Sequence, residues 1–235
     1  MDIVADLHIH TIASQHAYST IKECAIAAKE NNLEYIGISD HGPAMNDGPL
    51  EYYFMNLRIL PNIIEGIRVL KGIELNILDE EGTIDLKSHI LKTLDYAIAS
   101  YHPGVSPAYY KKEQFTNGYL NVMNNPNVKI LGHIDNPAVP FNHEKVLKKA
   151  KETNTIIEVN NSSYGYVRPG SYEVGKELLA KAKSIGNKIM LNTDAHYHEH
   201  VGIVDISKKL VEEVGYPQEL IINTNLESFK EHFGV

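Results

Sequence analysis

The sequence predicts an α/β fold in which about seven strand–helix units curl into a small or incomplete barrel rather than an open sheet. Three observations carry this. Short β-branched apolar runs alternate with segments of helical spacing along the whole chain, which implies βα units and a parallel sheet. At 235 residues the chain is long enough to bury an independent core. No internal repeat, low-complexity stretch or Ser/Gly-rich linker divides it, so residues 1–235 are expected to form a single domain.

Strands are predicted over residues 3–7, 35–39, 69–75, 97–100, 128–131, 156–159 and 189–191, where apolar residues, many of them Ile and Val, cluster in runs too short for helices. Helical spacing covers 21–30, 54–64, 113–123, 143–151 and 172–184, and a last helix spans 206–214. The first helix opens on Thr20-x-x-Glu23, a capping box whose hydroxyl and carboxylate satisfy free amides of the first turn. Gly186 and Gly215 stand just past two periodic runs, where a helix end calls for a positive φ. The longest irregular segments, 41–53 and 161–171, each follow a predicted strand. On a barrel both would lie at the C-terminal face, where long loops shape active sites.

Composition removes several function classes. The net charge of −8 argues against a broad basic footprint, so nucleic acid is not expected as a partner. No apolar run approaches the roughly 18 residues of a membrane span, and the N-terminus lacks a basic n-region, so a cytoplasmic protein with no membrane partner is expected. The single Cys24 excludes an internal disulfide framework and a thiolate metal cluster. With 12 histidines, any transition metal must be held by imidazole and carboxylate.

Asp6-x-His8-x-His10 lies at the end of the first strand, where residues two apart point the same way, roughly 6.5–7 Å apart along the backbone. Two imidazoles so placed can converge on one ion. His16 follows in the next loop. Asp40-His41 ends the second strand, Glu74 the third, His102 the fourth and His133 the fifth, and Asp194-Ala195-His196 follows the seventh. Catalytic groups of barrels come from the C-terminal ends of several strands, which is this pattern. Seven His with Glu74 and Asp194 make nine candidate donors, too many for one ion of four to six ligands. If a carboxylate bridges, nine donors suit three divalent ions, giving a local charge of about +4. Such a pocket in an acidic protein selects an anion, phosphate above all. Zn, Mn and Fe all accept this donor set, with Zn the first choice.

These residues resemble the motifs of the PHP (polymerase and histidinol phosphatase) superfamily: Asp6-Leu7-His8-Ile9-His10, Ser39-Asp40-His41, Glu74, His102, Gly132-His133 and Asp194-Ala195-His196. The chain is most similar to the YcdX-like group of PHP phosphatases, through residues 11–20, Asp40-His41-Gly42-Pro43, residues 56–61, Gly72-Ile73-Glu74-Leu75-Asn76 and Glu158-Val159-Asn160-Asn161-Ser162-Ser163. The resemblance spans about residues 2–225 and implies a distorted TIM-like (β/α)7 barrel with a trinuclear metal centre and phosphoesterase activity. Carried over by position, it implies that His8, His10, Glu74 and Asp194 hold one metal. Glu74 then bridges to a second, completed by His102 and His133, and His16, His41 and His196 hold the third. The sequence departs from the group at Asp135, where a small residue is expected.

The reaction implied is hydrolysis of a small phosphate monoester by hydroxide held at the metals, with Glu74 and Asp194 as the catalytic carboxylates and Asp194 able to take a proton from the attacking water. Arginine is scarce (Arg58, Arg68 and Arg168), and a guanidinium fork suits phosphate, so Arg168 and then Arg58 are the candidate substrate contacts. Asp6 and Asp40, next to ligand histidines, are candidate acceptors that orient imidazoles. Tyr18 is read as a packed loop residue, and His89, His143, His198, His200 and His232 as solvated. A histidinol phosphatase is the specific rival. Two other classes compete: an amidohydrolase-like C–N hydrolase, disfavoured by the absence of an obvious metal-bridging Lys, and a non-catalytic PHP partner module, disfavoured by the complete donor set.

Overall fold

Seven parallel strand positions follow one another around the molecule, laddered within two sheets and joined by backbone hydrogen bonds at two seams. The structure, a computed structural model, describes residues 1–107, 109–165 and 167–235. The first sheet runs β1 (Ala5–Ile9), β2 (Tyr35–Ile38), β4 (Ile67–Lys71), with β3 (Ile63–Ile64) antiparallel on its edge. The second runs β5 (Glu74–Asn76), β6 (Ala97–Ser100), β7 (Val128–Leu131), β8 (Ile156–Asn160), β9 (Ile189–Asn192), all parallel. One seam joins His41 to Glu74, with the Gly42 amide donating to the Glu74 carbonyl at 2.8 Å. The other joins Ile9 to Ala195, with the His10 amide donating to the Ala195 carbonyl at 2.8 Å. The expected distorted seven-stranded barrel is the observed architecture.

The strand expected over 69–75 is broken into β4 and β5. The cause is Tyr96, whose buried ring fills the barrel floor and donates its hydroxyl to the Leu7 carbonyl at 2.6 Å. A Cβ on Gly72 would stand 2.3 Å from that ring, and one on Gly37 of β2 would stand 2.2 Å from its hydroxyl. Around Tyr96 pack Ala5, Leu7, Ile98, Ile130, Ile156 and Met190, closed from below by Phe229.

A second irregularity places the site. Asp6 pairs with Ile36 and Ile9 with Ile38, so β1 carries one extra residue between them, a bulge that reverses which side chains face inward. Leu7 therefore belongs to the barrel floor and Ile9 to the helix-facing core, while His8 and His10 turn inward above the floor.

The helices cover the outside: α1 (Ile21–Glu30), α2 (Glu51–Asn56), α3 (Ser88–Leu91), α4 (Lys112–Val122), α5 (His143–Thr153), α6 (Ser171–Ile185), α7 (Asp205–Val214) and α8 (Leu226–Phe233). The Thr20/Glu23 capping box is formed, and Gly186 and Gly215 end α6 and α7 at φ of 78° and 62°. Residues 54–64 do not form one helix as expected. Pro61 cannot continue it, so α2 ends in a 3-10 turn at Leu57–Ile59 and Ile63–Ile64 pairs with β4 instead. The short α3 and the terminal α8 lie outside the predicted helices. None of the helices among the described residues is long and apolar enough to cross a membrane.

Candidate metal centre

The C-terminal ends of the strands form a rim on which the nine expected donors meet. His8 and His10 lie on β1 and its end, and His16 on the loop beyond. His41 follows β2, Glu74 begins β5, His102 follows β6, His133 follows β7, and Asp194 and His196 follow β9. Two of these residues, His133 and Asp194, hold positive φ (32° and 57°), a costly backbone for residues with a Cβ and one often found at functional sites.

The donors fall into three groups. His8 Nε2 lies 3.4 Å from Glu74 Oε2 and 3.5 Å from Asp194 Oδ1, and His10 Nε2 lies 3.5 and 3.1 Å from the same oxygens. The other oxygen, Glu74 Oε1, lies 3.2 Å from His102 Nε2 and 2.9 Å from His133 Nε2, which are 3.3 Å from each other. In the third group, His16 Nε2 lies 3.3 Å from His41 Nε2 and 2.9 Å from His196 Nε2. Bonds of 2.0–2.1 Å in a tetrahedral shell put neighbouring donors about 3.3 Å apart, so this spacing suits a cation held within a group.

Orphaned atoms make the same point. His8 Nε2, His10 Nε2, His41 Nδ1 and Glu74 Oε2 are buried without a hydrogen-bond partner. His41 Nδ1 is only 2.9 Å from Glu74 Oε2, yet the two are not aligned for a hydrogen bond. Leaving such groups unsatisfied costs several kcal/mol in the barrel interior, and a shared cation removes that cost. Burial alone would raise the Glu74 carboxyl, but His102, His8 and His41 hold it well below the usual carboxylate range. Asp194 is likewise held well below its ordinary value, against its burial, by His8, His10 and Arg168. Burial, reinforced by His41 and His196, keeps His10 neutral, the form that binds a metal.

The residues that aim the imidazoles differ from those expected. Asp6 and Asp40 touch none of them. Asp6 accepts from the Thr193 hydroxyl and amide and from the Gly202 amide; burial raises it to about 6. Asp40 accepts from the Thr11 amide and hydroxyl, Ser14 and Tyr53. Each pins a ligand-bearing loop, because its oxygens are saturated by backbone and hydroxyl donors. The orienting contacts come from Glu158 Oε1 to His8 Nδ1 (2.7 Å), Asn76 Oδ1 to His102 Nδ1 (2.8 Å), Asp47 Oδ2 to His16 Nδ1 (2.5 Å) and the Asp194 carbonyl to His196 Nδ1 (3.0 Å). Glu158 and Asn76 carried a signal, since both stand inside the motifs Glu158-Val159-Asn160 and Glu74-Leu75-Asn76. Asp47 carried none.

Arg168 reaches the centre, donating through Nη1 and Nη2 to Asp194 Oδ2 (3.3 and 3.2 Å) and through Nη1 to Ser163 Oγ (3.2 Å). Arg58 stands exposed on the 3-10 turn and lines none of the cavities described here. The Tyr18 side chain is exposed rather than packed, although its amide donates to the His196 carbonyl. Nor are all the remaining histidines solvated. His143 packs its ring against Phe141, His198 bonds Ser19 and His232 contacts Lys188, whereas His89 and His200 are exposed as expected, His200 at the edge of the cavity above the centre. Asp135 is fully buried beside Tyr164 and Ser163, and burial raises it to about 7. A cavity of about 680 Å³ opens over His16, His41, His102, Asp194 and His196, and a second of about 610 Å³ adjoins it beside His102 and His133, with Arg168 shared between them.

The PHP domain model matches residues 6–164, the stretch carrying seven of the nine donors. The chain belongs to the PHP domain family. Among its PHP relatives, a probable phosphatase from Caldanaerobacter subterraneus is 44% identical over 230 residues, covering 98% of this chain and 91% of that one. A probable phosphatase from Acetivibrio thermocellus is 43% identical over 233 residues, covering 99% and 95%. These relatives place the chain among the PHP phosphatases, hydrolases of phosphate ester bonds. Its fold is similar to that of a histidinol phosphate phosphatase from Lactococcus lactis, with a TM-score of 0.65 at 19% identity over 92% of this chain and 95% of the other. That enzyme was solved with Zn, L-histidinol and phosphate.

Proposed function

We propose that this PHP protein hydrolyses a small phosphate monoester at a centre of three divalent ions, Zn in first place, with Mn or Fe as alternatives. The observation that carries the reading is the convergence of nine side chains into three groups, two of them sharing Glu74, with buried atoms of His8, His10, His41 and Glu74 left unpartnered. On this reading His8, His10, Glu74 and Asp194 hold the first ion, Glu74, His102 and His133 the second, and His16, His41 and His196 the third. Ions held there would supply Lewis-acid charge to the phosphoryl oxygens and acidify water. The chain's own groups do the rest. Asp194 Oδ1 faces the donors and is the atom placed to take a proton from an attacking water, while Oδ2 fixes Arg168. The Arg168 N–H groups left free then meet the phosphate, a task for which the planar guanidinium is suited.

The family model ends at residue 164, yet Arg168, Asp194 and His196 lie beyond it, and the Ile9–Ala195 seam ties that segment to β1. This supports residues 1–235 acting as one domain. The test is elemental analysis of protein purified without chelator, paired with hydrolysis of p-nitrophenyl phosphate. About three ions per chain, with activity lost on chelation and restored by Zn or Mn, is the expected result. One ion or none would overturn the trinuclear reading, and three ions without hydrolysis would overturn the phosphatase reading.

A further inference from the structure

Both cavities that flank Arg168 are walled mainly by apolar side chains, with the uncharged Asn161, Ser162 and Thr193 and the imidazole of His200 in the larger and Asn136 in the smaller. In the larger one, Met45, Val167, Ile203 and Ile206 rise around the floor of histidines. Val167, Ile203 and Ile206 are 53%, 41% and 37% exposed, so this apolar surface faces the cavity mouth rather than the core. Tyr101, Pro103, Pro137, Ala138 and Pro169 line the smaller one. Among the described residues, the only carboxylate lining either cavity is Asp194. It is committed to Arg168 on one side and to His8 and His10 on the other. Among the described residues the only Lys or Arg lining either is Arg168 itself.

A phosphate monoester bound over the histidines must place its alcohol arm in one of these cavities. The larger holds five of the nine donors in its floor, so an ester seated there projects its arm along Met45, Ile203 and Ile206. An ammonium on that arm would lose water without gaining a carboxylate, beside Arg168 and a cationic centre. Burying an unpaired charge in this way is heavily penalised. A second phosphate or a carboxylate on the arm would find no free cation among the wall residues. A neutral apolar arm loses nothing and gains burial.

We infer that the substrate class of this site is the phosphate monoester of an uncharged alcohol with an apolar or aromatic body, lodged against Ile203 and Ile206, and not an amino-alcohol phosphate such as histidinol phosphate. This rests on the phosphatase reading above. It separates the chain from the Lactococcus enzyme whose fold it shares.

The test compares kcat/KM of the metal-loaded protein for 2-phenylethyl phosphate and histidinol phosphate, both esters of primary alcohols, with p-nitrophenyl phosphate as a general probe. The aromatic ester is expected to be favoured at least 10-fold. Ile206→Asp gives the arm a carboxylate neighbour and should shrink that preference at least 10-fold, whereas Ala138→Asp, in the smaller cavity, should leave it unchanged. Equal or better hydrolysis of histidinol phosphate by the unaltered protein overturns the inference and leaves the phosphatase reading standing. A ratio that follows Ala138→Asp and not Ile206→Asp overturns the placement of the arm. No hydrolysis of any of the three esters overturns the phosphatase reading and this inference with it.

Discussion

Glu158 Oε1 lies 2.7 Å from His8 Nδ1, in the barrel interior, where neither side chain meets solvent. The second oxygen, Oε2, accepts the His133 amide at 2.8 Å, so one carboxylate sets the aim of an imidazole on β1 and the backbone that presents another after β7. Asn160 and Asn192 donate to the same carboxylate, which leaves it saturated. Burial would raise Glu158, but His8 holds it below its ordinary value, so it stays ionised.

Glu158→Gln keeps the shape but turns one acceptor into a donor facing a ring of donors. Partners of this kind tune metal affinity by about 10–100-fold. The expected outcome is a loss of that size in affinity for the ion between His8 and His10, read by competition with a chromogenic chelator. Unchanged affinity would mean that the His8 ring is aimed by packing alone.

Arg168 is the cation most directly placed for substrate on the proposed reading. Arg168→Ala should lower kcat/KM for p-nitrophenyl phosphate about 100-fold, the scale on which removal of one fixed donor to a developing charge acts. Arg168→Lys should recover only part of this, because a single ammonium lacks the planar fork that grips Asp194 Oδ2 through two nitrogens while presenting further N–H groups to a phosphate. Steady-state kinetics at fixed metal content would decide it; full recovery by Lys would reduce the role to charge alone.

Much of the rim was legible because strand ends are punctuated: His41, His102, His133 and Asp194 each stand just past the end of a strand, and a barrel brings all such ends together, whereas Glu74, expected to end the third strand, instead opens β5. What lay hidden depends on contacts across the barrel. The β1 bulge is invisible in Asp6-x-His8-x-His10, since period-two alternation holds on either side of it. Gly72 lies inside the run 69–75, which reads as one strand until Tyr96 is placed against it. Asp47 looks like loop polarity, and only the fold brings it to His16. The terminal α8 is a different case. Its Asn225 cap and its spacing of Leu226, Phe229 and Phe233 were present in the sequence, but the helix is short and its apolar face plugs the barrel floor rather than covering a strand.

His232 offers a pH test away from the metals. It is partly buried on α8 beside Lys188, whose Nζ lies 3.4 Å from its Nδ1, and burial together with Lys188 and Lys129 lowers it to about 4. In the unfolded chain it titrates near 6.5. The folded protein therefore binds fewer protons between those values, and stability falls as pH drops from about 6.5 to about 4. With solvent screening, the effect is on the order of 1 kcal/mol. His232→Gln keeps an acceptor for Lys188 without the titration. Urea midpoints at pH 7 and pH 4.5 should show the variant gaining on the parent protein at the lower pH; parallel shifts would show that His232 is solvated in the fold.

Ion removal should be visible in stability as well as in activity. Without cations the centre leaves Glu74 Oε2 and nitrogens of His8, His10 and His41 without partners, so on the proposed reading the folded state gains from bound metal. For free metal at about 1,000 times its dissociation constant, that linkage is worth about 4 kcal/mol per site. In a chain of this size, 1 kcal/mol moves the midpoint by about 2–4 °C. Chelation should then lower Tm by about 8–16 °C for one tight ion, and by more if several leave together. The Arg168→Ala protein separates the two effects. Its side chain is not a metal donor on the proposed reading, so its Tm should fall by a similar amount on chelation even though its activity is already low. A chelation shift confined to the parent protein would mean that Arg168, through Asp194 Oδ2, is needed to assemble the ion site itself.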